Sequence, residues 1–206
     1  MLITLLFQSP LTFVIIGIGL IVALTIHEFA HAYIADKLGD PTARALDRVT
    51  LNPLAHLDPI GTLAILLVGF GWGKPVPFDP YNLQDPKRDT LFIALAGPAS
   101  NFILATALAA VIALTSPAAI LAVPLQIIIQ INVMLGVFNL IPIPPLDGSK
   151  ILAGILPAEQ SIEYEEFTNR YSTILLLMFI LPIIGGQSLA STIISPIINL
   201  IMNLLL

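Results

Sequence analysis

Long uncharged stretches alternate with short polar ones along this chain. No residue carries a formal charge from Met1 to Ile26, from Thr90 to Leu146 or from Tyr171 to Leu206. A helix needs about 20 mostly apolar residues to cross a bilayer, so each stretch has room for at least one crossing. The pattern therefore predicts a membrane protein with several spanning helices.

Turn-forming residues divide the uncharged stretches into separate elements. Three segments are long enough to span a membrane, and further helices are predicted towards the C-terminal end. The spans are Leu11 to Ala35, Thr90 to Ala113 and Ala119 to Leu140. The first further helix is Asp147 to Leu156. Residues from Tyr171 to Leu206 are predicted to form one long helix or two shorter helices, divided near Pro182 and Gly185-Gly186.

The remaining segments predict smaller elements. Pro59 to Gly73 has only 15 uncharged residues, which indicates a re-entrant or tilted helix. Alternation over Ala45 to Leu51 indicates an edge strand or hairpin. The acidic residues between Glu159 and Glu166 are typical of a solvated linker. The expected fold is an all-α polytopic membrane protein with about 4–6 transmembrane or re-entrant helices and a small cytoplasmic-side β-hairpin region.

Composition and charge support a membrane location and suggest its orientation. Hydrophobic residues make up 57% of the 206 residues and charged residues 10%, which is too apolar for a soluble domain. The absence of cysteine excludes thiolate ligands and cysteine nucleophiles, and no basic run suggests nucleic acid. All eight Lys and Arg lie in residues 37–88 and 150–170. The positive-inside rule predicts that residues 37–88 and 141–170 face the cytoplasm, with the turn near Ser116 outside.

The sequence HEFAH at the end of the first span is a candidate zinc site. His27 and His31 are four residues apart, so a helix places both imidazoles on one face, as a tetrahedral zinc site requires. Glu28 can take a proton from a metal-activated water and return it to a leaving amine. Such patterns recur by chance, but ionisable groups in an apolar span cost several kcal/mol unless paired or bound. We therefore interpret the histidines as ligands of one Zn²⁺ ion and Glu28 as catalytic.

Asp147 is the candidate for the third protein ligand. It is the one other acidic residue in a comparably apolar setting, directly after a proline-rich segment that begins at Pro142. The prolines unwind the chain, which is tolerated at membrane depth only where the backbone lines a protein or water cavity. Capping of the following helix would also explain Asp147 and is compatible with a metal role. Two histidines and one carboxylate would leave an open position for water.

Three motifs together resemble the signatures of site-2 protease intramembrane zinc metalloproteases. They are HEFAH in an early helix, Gly97-Pro98-Ala99-Ser100-Asn101 in a middle helix, and the segment from Asn139 to Gly148 in a later one. The stretch from Leu51 to Thr62 is similar to a minimal bacterial or archaeal branch of that family.

The resemblance implies a protease that cuts transmembrane segments of other membrane proteins within the cell membrane. Because His31 lies only six residues before Lys37, which the positive-inside rule places in the cytoplasm, we expect the active site towards the cytoplasmic side. It implies His27, His31 and Asp147 as zinc ligands, Glu28 as catalytic, and Asn139, with Asn101 in addition, as contacts for substrate backbone or the transition state. No segment is long or polar enough for a PDZ or CBS domain, so we expect one membrane-embedded domain over residues 1–206, with its core at 11–156 and C-terminal helices at 171–206.

Other interpretations stay open at this point. A metal-binding transporter or sensor could use the same ligands without hydrolysis, although only hydrolysis needs Glu28. Asn101 and Asn139 could be hydrogen-bonded pairs between helices. His56 could support the metal ligands from outside or contact Asp58, but we expect a surface or capping role, because loop histidines need no special burial. An edge strand over residues 42–51 could accept a locally extended substrate by strand addition.

Overall fold

The computed structural model describes residues 2–184 and 187–206, and this part of the chain is almost entirely helical. By length and composition, three of its helices could cross a membrane. Helices α1 to α9 follow one another in chain order as Leu2–Gln8, Pro10–Lys37, Thr42–Ala45, Pro59–Val68, Pro86–Thr115, Ala119–Asn139, Asp147–Ile155, Ala158–Ile180 and Leu189–Leu205, and the three candidate spans are α2, α5 and α6.

Several helical segments begin in the same way, with a polar side chain followed by proline. The side chain accepts the N–H of a residue in the first turn, and proline costs nothing there because its missing N–H would have no helical partner. At α4, Asp58 accepts the N–H of Gly61 at 2.7 Å; at α5, Asp85 accepts the N–H of Arg88 at 3.1 Å. The sequence therefore sets where these helices start.

The three long helices pack against one another, α2 against α5 and α6, and α5 against α6. Small side chains allow this approach, since many of the buried positions are alanine or glycine. The larger buried cluster joins α5, α6, α8 and α9 and includes Ile129, Val133 and Phe179. Large apolar side chains such as Ile103 remain exposed, as expected where lipid is the solvent.

The segment between α6 and α7 brings the chain back to the long helices. Turns over residues 140–146 replace the helix at the prolines, and α7 then packs against α5. Gly148 lies so close to the end of α6 that a Cβ there would come within 2.2 Å of the Leu140 carbonyl oxygen. Tyr164 Oη donates to the Pro142 carbonyl at 2.9 Å, which ties α8 to the same segment. Asp147 is therefore held at a fixed place beside α5.

Several sequence predictions are confirmed. The three predicted spans correspond to α2, α5 and α6, the short helix at Asp147 is α7, and Tyr171 to Leu206 contains the end of α8 and all of α9. The break at Pro182 is present as the start of strand β1 (Pro182–Ile184), which pairs antiparallel with β2 (Gln187–Ser188). The other predicted break point, Gly185-Gly186, lies outside the described residues.

Two predictions are wrong. No strand occurs over Ala45 to Leu51, because α3 extends to Ala45 and a turn follows it: Arg48 N–H donates to the Ala43 carbonyl at 2.8 Å, and Asp47 has a positive φ of 53°. The acidic residues between Glu159 and Glu166 are not a linker but the first half of α8, where glutamate is a good helix former and the charges point outwards.

Candidate metal centre

Three side chains predicted as ligands meet between α2 and α7. The Nε2 atoms of His27 and His31 lie 3.0 Å apart, as their one-turn spacing on α2 requires. Asp147, the first residue of α7, places Oδ2 at 3.0 Å from His27 Nε2 and 3.2 Å from His31 Nε2. Both imidazoles are buried and Asp147 nearly so. The three donor atoms thus converge on one point inside the helical bundle.

The other nitrogen of each imidazole is already bound. His31 Nδ1 lies 2.7 Å from the carbonyl oxygen of Ile93, and His27 Nδ1 lies 2.8 Å from Asn101 Oδ1. Both partners are acceptors, because the Asn101 amide nitrogen donates elsewhere, so Nδ1 carries the proton in both rings. A neutral imidazole has one N–H, which leaves the two Nε2 lone pairs facing the centre.

This arrangement fits a bound metal ion. Two imidazole lone pairs and a carboxylate oxygen face one another, and within the described residues no hydrogen bond satisfies the buried Asp147 Oδ2. Buried acceptor atoms that face one another are costly unless a cation binds them. In a tetrahedral zinc site with bonds of about 2.0–2.1 Å, neighbouring ligand atoms lie roughly 3.3 Å apart, close to the distances here. The hydrogen bonds to Nδ1 hold the rings as outer partners of a metal site do.

Helix α5 has a glycine, Gly97, at the position where it passes the cluster. A Cβ on Gly97 would lie 2.4 Å from His31 Nε2 and 2.6 Å from His27 Cε1. No side chain fits there, so α5 can approach the imidazoles only at this position. Pro98 follows directly and is also buried. The predicted Gly97 to Asn101 motif therefore serves the site twice, by making room for the rings and by binding His27.

Glu28 lies beside the cluster and is held from the loop that precedes α5. Its Oε2 accepts the backbone N–H of Val76 at 3.2 Å. A buried cation, Arg48, lies near enough for the two charges to interact. Burial lowers the pKa of the Arg48 guanidinium, and the negative charge of Glu28 opposes that shift. A carboxylate next to a metal site, rather than in it, can exchange protons with a water held there.

The structure places the two predicted asparagines differently. Asn101 is fully buried and bridges His27, the Ala23 carbonyl and Asn132 Oδ1, the last two at 3.0 Å each. It is thus an interhelical hydrogen-bonding residue and a partner of a candidate ligand at once. Asn139, at the end of α6, donates from Nδ2 to the Leu135 carbonyl at 3.0 Å, which leaves its second amide hydrogen for another acceptor.

His56 is not on the surface, so the expected surface role is wrong, but His56 is the C-cap residue of the short 3-10 helix Pro53–Ala55, in agreement with the capping role. It is completely buried, with Nε2 bound to the Thr50 carbonyl at 2.8 Å and Nδ1 facing Arg48 Nη2 at 3.4 Å. The loop that carries it folds back on itself, because Lys74 N–H also donates to the His56 carbonyl at 2.8 Å. Loop location therefore did not mean exposure here.

Comparison with known proteins identifies the family. The model described as Peptidase family M50 matches residues 114–182. The chain is also 39% identical over 175 residues to "Putative zinc metalloprotease YwhC" of Bacillus subtilis, a match that covers 81% of this chain and 80% of that protein. The chain belongs to peptidase family M50, the site-2 protease family. It is a zinc metalloprotease, and its apolar helices make it a multi-pass membrane protein.

More distant relatives agree with this family. "Putative zinc metalloprotease Rip2" of Mycobacterium tuberculosis is 31% identical over 84% of this chain and 70% of its own length. "Zinc metalloprotease MJ0392" of Methanocaldococcus jannaschii is 30% identical over 72% of this chain but only 36% of its own length. No solved structure gives a significant match. Membership of M50 favours hydrolysis over the alternative of a metal transporter or sensor.

Sequence reasoning missed two contributors to the M50 site. The Ile93 carbonyl holds His31, and Asn132 holds Asn101. Asn132 left a signal, as an amide within an otherwise apolar span, where an unpaired polar group is costly. The role of the Ile93 carbonyl depends on which residues of α5 face α2, and no local pattern shows that.

Proposed function

We propose that this M50 protein is an intramembrane protease that hydrolyses peptide bonds in the transmembrane segments of other membrane proteins. In this proposal His27, His31 and Asp147 hold Zn²⁺ and Glu28 is the catalytic acid and base. The observation that carries it is the convergence of three lone-pair atoms within 3.2 Å of one another inside an apolar bundle, with a fourth ionisable residue beside them. One domain over residues 1–206, with its core at 11–156, would contain the whole site.

The chemistry divides between the ion and the chain. Zinc at such a site polarises a carbonyl and lowers the pKa of a bound water to about 7. Glu28 accepts the proton of the attacking water and returns it to the leaving amine. The Val76 N–H holds one oxygen of Glu28, so the other oxygen is free for this transfer. Asn139 has an amide hydrogen for substrate backbone or for a developing oxyanion.

The depth of the site favours membrane-spanning substrates. His31 lies six residues before Lys37, the last residue of α2, which corresponds to about 9 Å along the helix axis. The candidate ligands would then lie below the cytoplasmic surface, among lipid-facing helices. A substrate bond at that depth must come from a segment that itself enters the bilayer.

The cleaved segment must first be extended, because a helix hides its carbonyls in backbone hydrogen bonds. The strand expected at residues 42–51 is absent, so it cannot accept the substrate. Segment 73–78 passes Glu28 and has no helix, and Lys74 and Val76 each precede proline, which biases them towards extended backbone. Because the N–H groups of Lys74 and Val76 are already bound, this segment can line the site but does not offer a free edge for strand addition.

Cleavage by the purified protein tests this function. The protein in detergent or liposomes should contain one zinc per chain and cut a model transmembrane substrate within its apolar segment. A chelator should stop cleavage, and added zinc should restore it. Zinc-dependent cleavage of soluble peptides, with transmembrane segments left intact, would contradict the intramembrane assignment.

Orientation needs its own test, because it rests on charge distribution alone. We propose that residues 37–88 face the cytoplasm and that the turn at Ser116 lies outside. The chain contains no cysteine, so single cysteines at Arg44 and Ser116 can be labelled in intact cells without background. An impermeant reagent should label Ser116→Cys and leave Arg44→Cys unlabelled until the cells are opened. Labelling of both in intact cells would refute the topology.

A further inference from the structure

Arg48 is a buried cation with no role in the chemistry so far. It is 4% exposed, whereas the side chain of Arg44, one turn earlier, is 65% exposed in an ion pair with Asp36. A buried guanidinium is costly unless its donors are used. Within the described residues no carboxylate forms an ion pair with Arg48. Its Nη1 and Nη2 atoms donate to backbone carbonyls instead, while Nε has no partner among the described residues.

Those bonds fix two consecutive peptide groups of the loop before α5. Arg48 Nη2 donates to the Lys74 carbonyl at 2.6 Å, and Nη1 donates to the Pro75 carbonyl at 3.0 Å. The planar guanidinium presents its donors in a rigid fork, so it sets the orientation of both carbonyls and not merely their distance. The backbone of residues 74 and 75 is thereby held in place.

The second of these two peptide groups is also the one that binds Glu28. The Pro75 carbonyl and the Val76 N–H belong to the same planar peptide unit, so fixing one fixes the direction of the other. Pro75 and Pro77 have no N–H, which makes Val76 the one backbone donor among these three residues. Arg48 thus binds one end of the peptide unit whose other end binds Glu28 Oε2.

His56 contacts both Arg48 and the loop that Arg48 binds. Its Nε2 faces a carbonyl and must be the N–H, so its Nδ1 is an acceptor directed at Arg48 Nη2. Its own carbonyl accepts the N–H of Lys74. Arg48 and the loop are therefore held by the same buried histidine, which limits how far either can move.

We propose that Arg48 is a positioning residue for Glu28, acting through the peptide unit between Pro75 and Val76. This inference rests on the proposed function, in which Glu28 transfers the proton. Arg48 keeps the Val76 N–H on one carboxylate oxygen, so that the other oxygen stays directed towards the metal centre. Without Arg48 the loop is free to turn its N–H away, and Glu28 loses its fixed orientation.

The first test compares Arg48→Gln with Arg44→Gln, which removes an exposed cation from the same region. Arg48→Gln should keep one zinc per chain and lose turnover by about 10- to 100-fold, the usual effect of a misplaced catalytic group. Arg48→Lys keeps the charge but cannot span both carbonyls, so it should recover only part of the loss. Arg44→Gln should have wild-type turnover. Full recovery by lysine, or zinc lost in step with turnover, would overturn the proposal.

A double variant tests the route through the loop. Val76→Pro deletes the N–H that binds Glu28 and should lower turnover as far as Arg48→Gln does. If both act through one peptide unit, the double variant should be no worse than the worse single variant. Multiplied effects in the double variant would mean that Arg48 acts by another route and would overturn the inference.

Cysteine labelling gives a readout without catalysis. Val76→Cys keeps the backbone N–H, and its maleimide labelling rate in metal-free protein reports how firmly the loop is held. The rate should rise about 10-fold when Arg48→Gln is added and stay unchanged with Arg44→Gln, since a loosened loop opens locally more often. Equal rates would refute the positioning role. If the wild-type protein cleaves no substrate while this difference persists, the proposed function fails but the restraint on the loop stands.

Discussion

Two buried clusters contain histidine, one around His56 and one around His27 and His31, and their ring nitrogens are bound in opposite ways. At His56, Nε2 donates to a carbonyl and Nδ1 faces a guanidinium, so both nitrogens have protein partners of the right kind. At His27 and His31, Nδ1 is satisfied but Nε2 faces other lone pairs, including Asp147 Oδ2. A buried histidine therefore indicates a metal when its second nitrogen faces acceptors, and a structural role when it faces a donor.

The largest expected effect comes from Asp147→Asn. A neutral amide is a weak zinc ligand, so zinc should be lost or bound much more loosely, and cleavage should fall below detection. Elemental analysis of the purified variant, alongside cleavage of a transmembrane substrate, measures both. Asp47→Asn is the matched control, because Asp47 is exposed and asparagine tolerates its positive φ. Full zinc content with normal cleavage would exclude Asp147 as a ligand.

Glu28→Gln should separate chemistry from metal binding. The variant is nearly isosteric and leaves the three converging atoms untouched, so zinc should remain while cleavage falls on the order of 100-fold or more. Single-turnover cleavage and zinc content, measured on one preparation, give both quantities. Glu159→Gln, an exposed glutamate on α8, should change neither. Wild-type cleavage by Glu28→Gln would contradict the proton-transfer role.

Gly97→Ala should weaken the metal cluster without removing a ligand. The new Cβ would overlap His31 Nε2, so one ring must move and zinc affinity should drop roughly 10- to 100-fold, as for loss of an outer partner. Gly17→Ala is the control, because nothing lies within 4 Å of a Cβ at that position in α2. Competition with a chromophoric chelator gives the affinities. Equal affinities in both variants would show that α5 does not restrain the rings.

Asn139→Ala should lower turnover by about 10-fold while zinc content stays close to one per chain, because the amide is expected to act on substrate and not on the metal. The control is Asn203→Ala, an exposed amide on α9. Steady-state cleavage and elemental analysis are the measurements. A parallel fall of zinc and turnover would make Asn139 a structural residue that only fastens the end of α6 at Leu135.

The smallest effect on zinc is expected for His56→Ala. It leaves the Thr50 carbonyl without its partner, which should cost about 1–3 kcal/mol of stability, while zinc per folded chain stays unchanged. Thermal unfolding of the zinc-free protein measures the stability. Leu54→Ala, an exposed residue of the same loop, should be close to neutral. Loss of zinc in His56→Ala would remove the distinction between the two histidine clusters.

The candidate ligands could be predicted because each depends on local chemistry. His27 and His31 need only a helix to share a face, and Asp147 stood out as an acid in an apolar, proline-broken segment. The three membrane-spanning helices could be predicted from the length of the uncharged stretches. The ring partners Asn101 and Ile93 could not be derived in this way, because they depend on how α5 is rotated against α2.

The loop between α2 and α5 was the least predictable region, since its polar groups bind over long distances. Asp40 is fully buried and accepts the N–H of Asp79 at 2.7 Å and the Asn82 amide at 2.8 Å. Although burial raises its pKa, bonds from these residues and from Thr42 hold the pKa of Asp40 below its usual value. The alternation of apolar and polar residues over Ala45 to Leu51 is too short a pattern to predict such long-range contacts.

The division of the candidate ligands between α2 and α7 also has a mechanical consequence. His31 and Asp147 are 116 positions apart in the sequence. An ion that binds both would therefore act as a removable cross-link between two distant parts of the chain. Helix α7 packs against α5, and it is Asp147 that brings α7 to His27 and His31 of α2. Chelation should therefore release α7 from α2 while the packing among α2, α5 and α6 stays intact, which hydrogen exchange along the two halves of the chain would show.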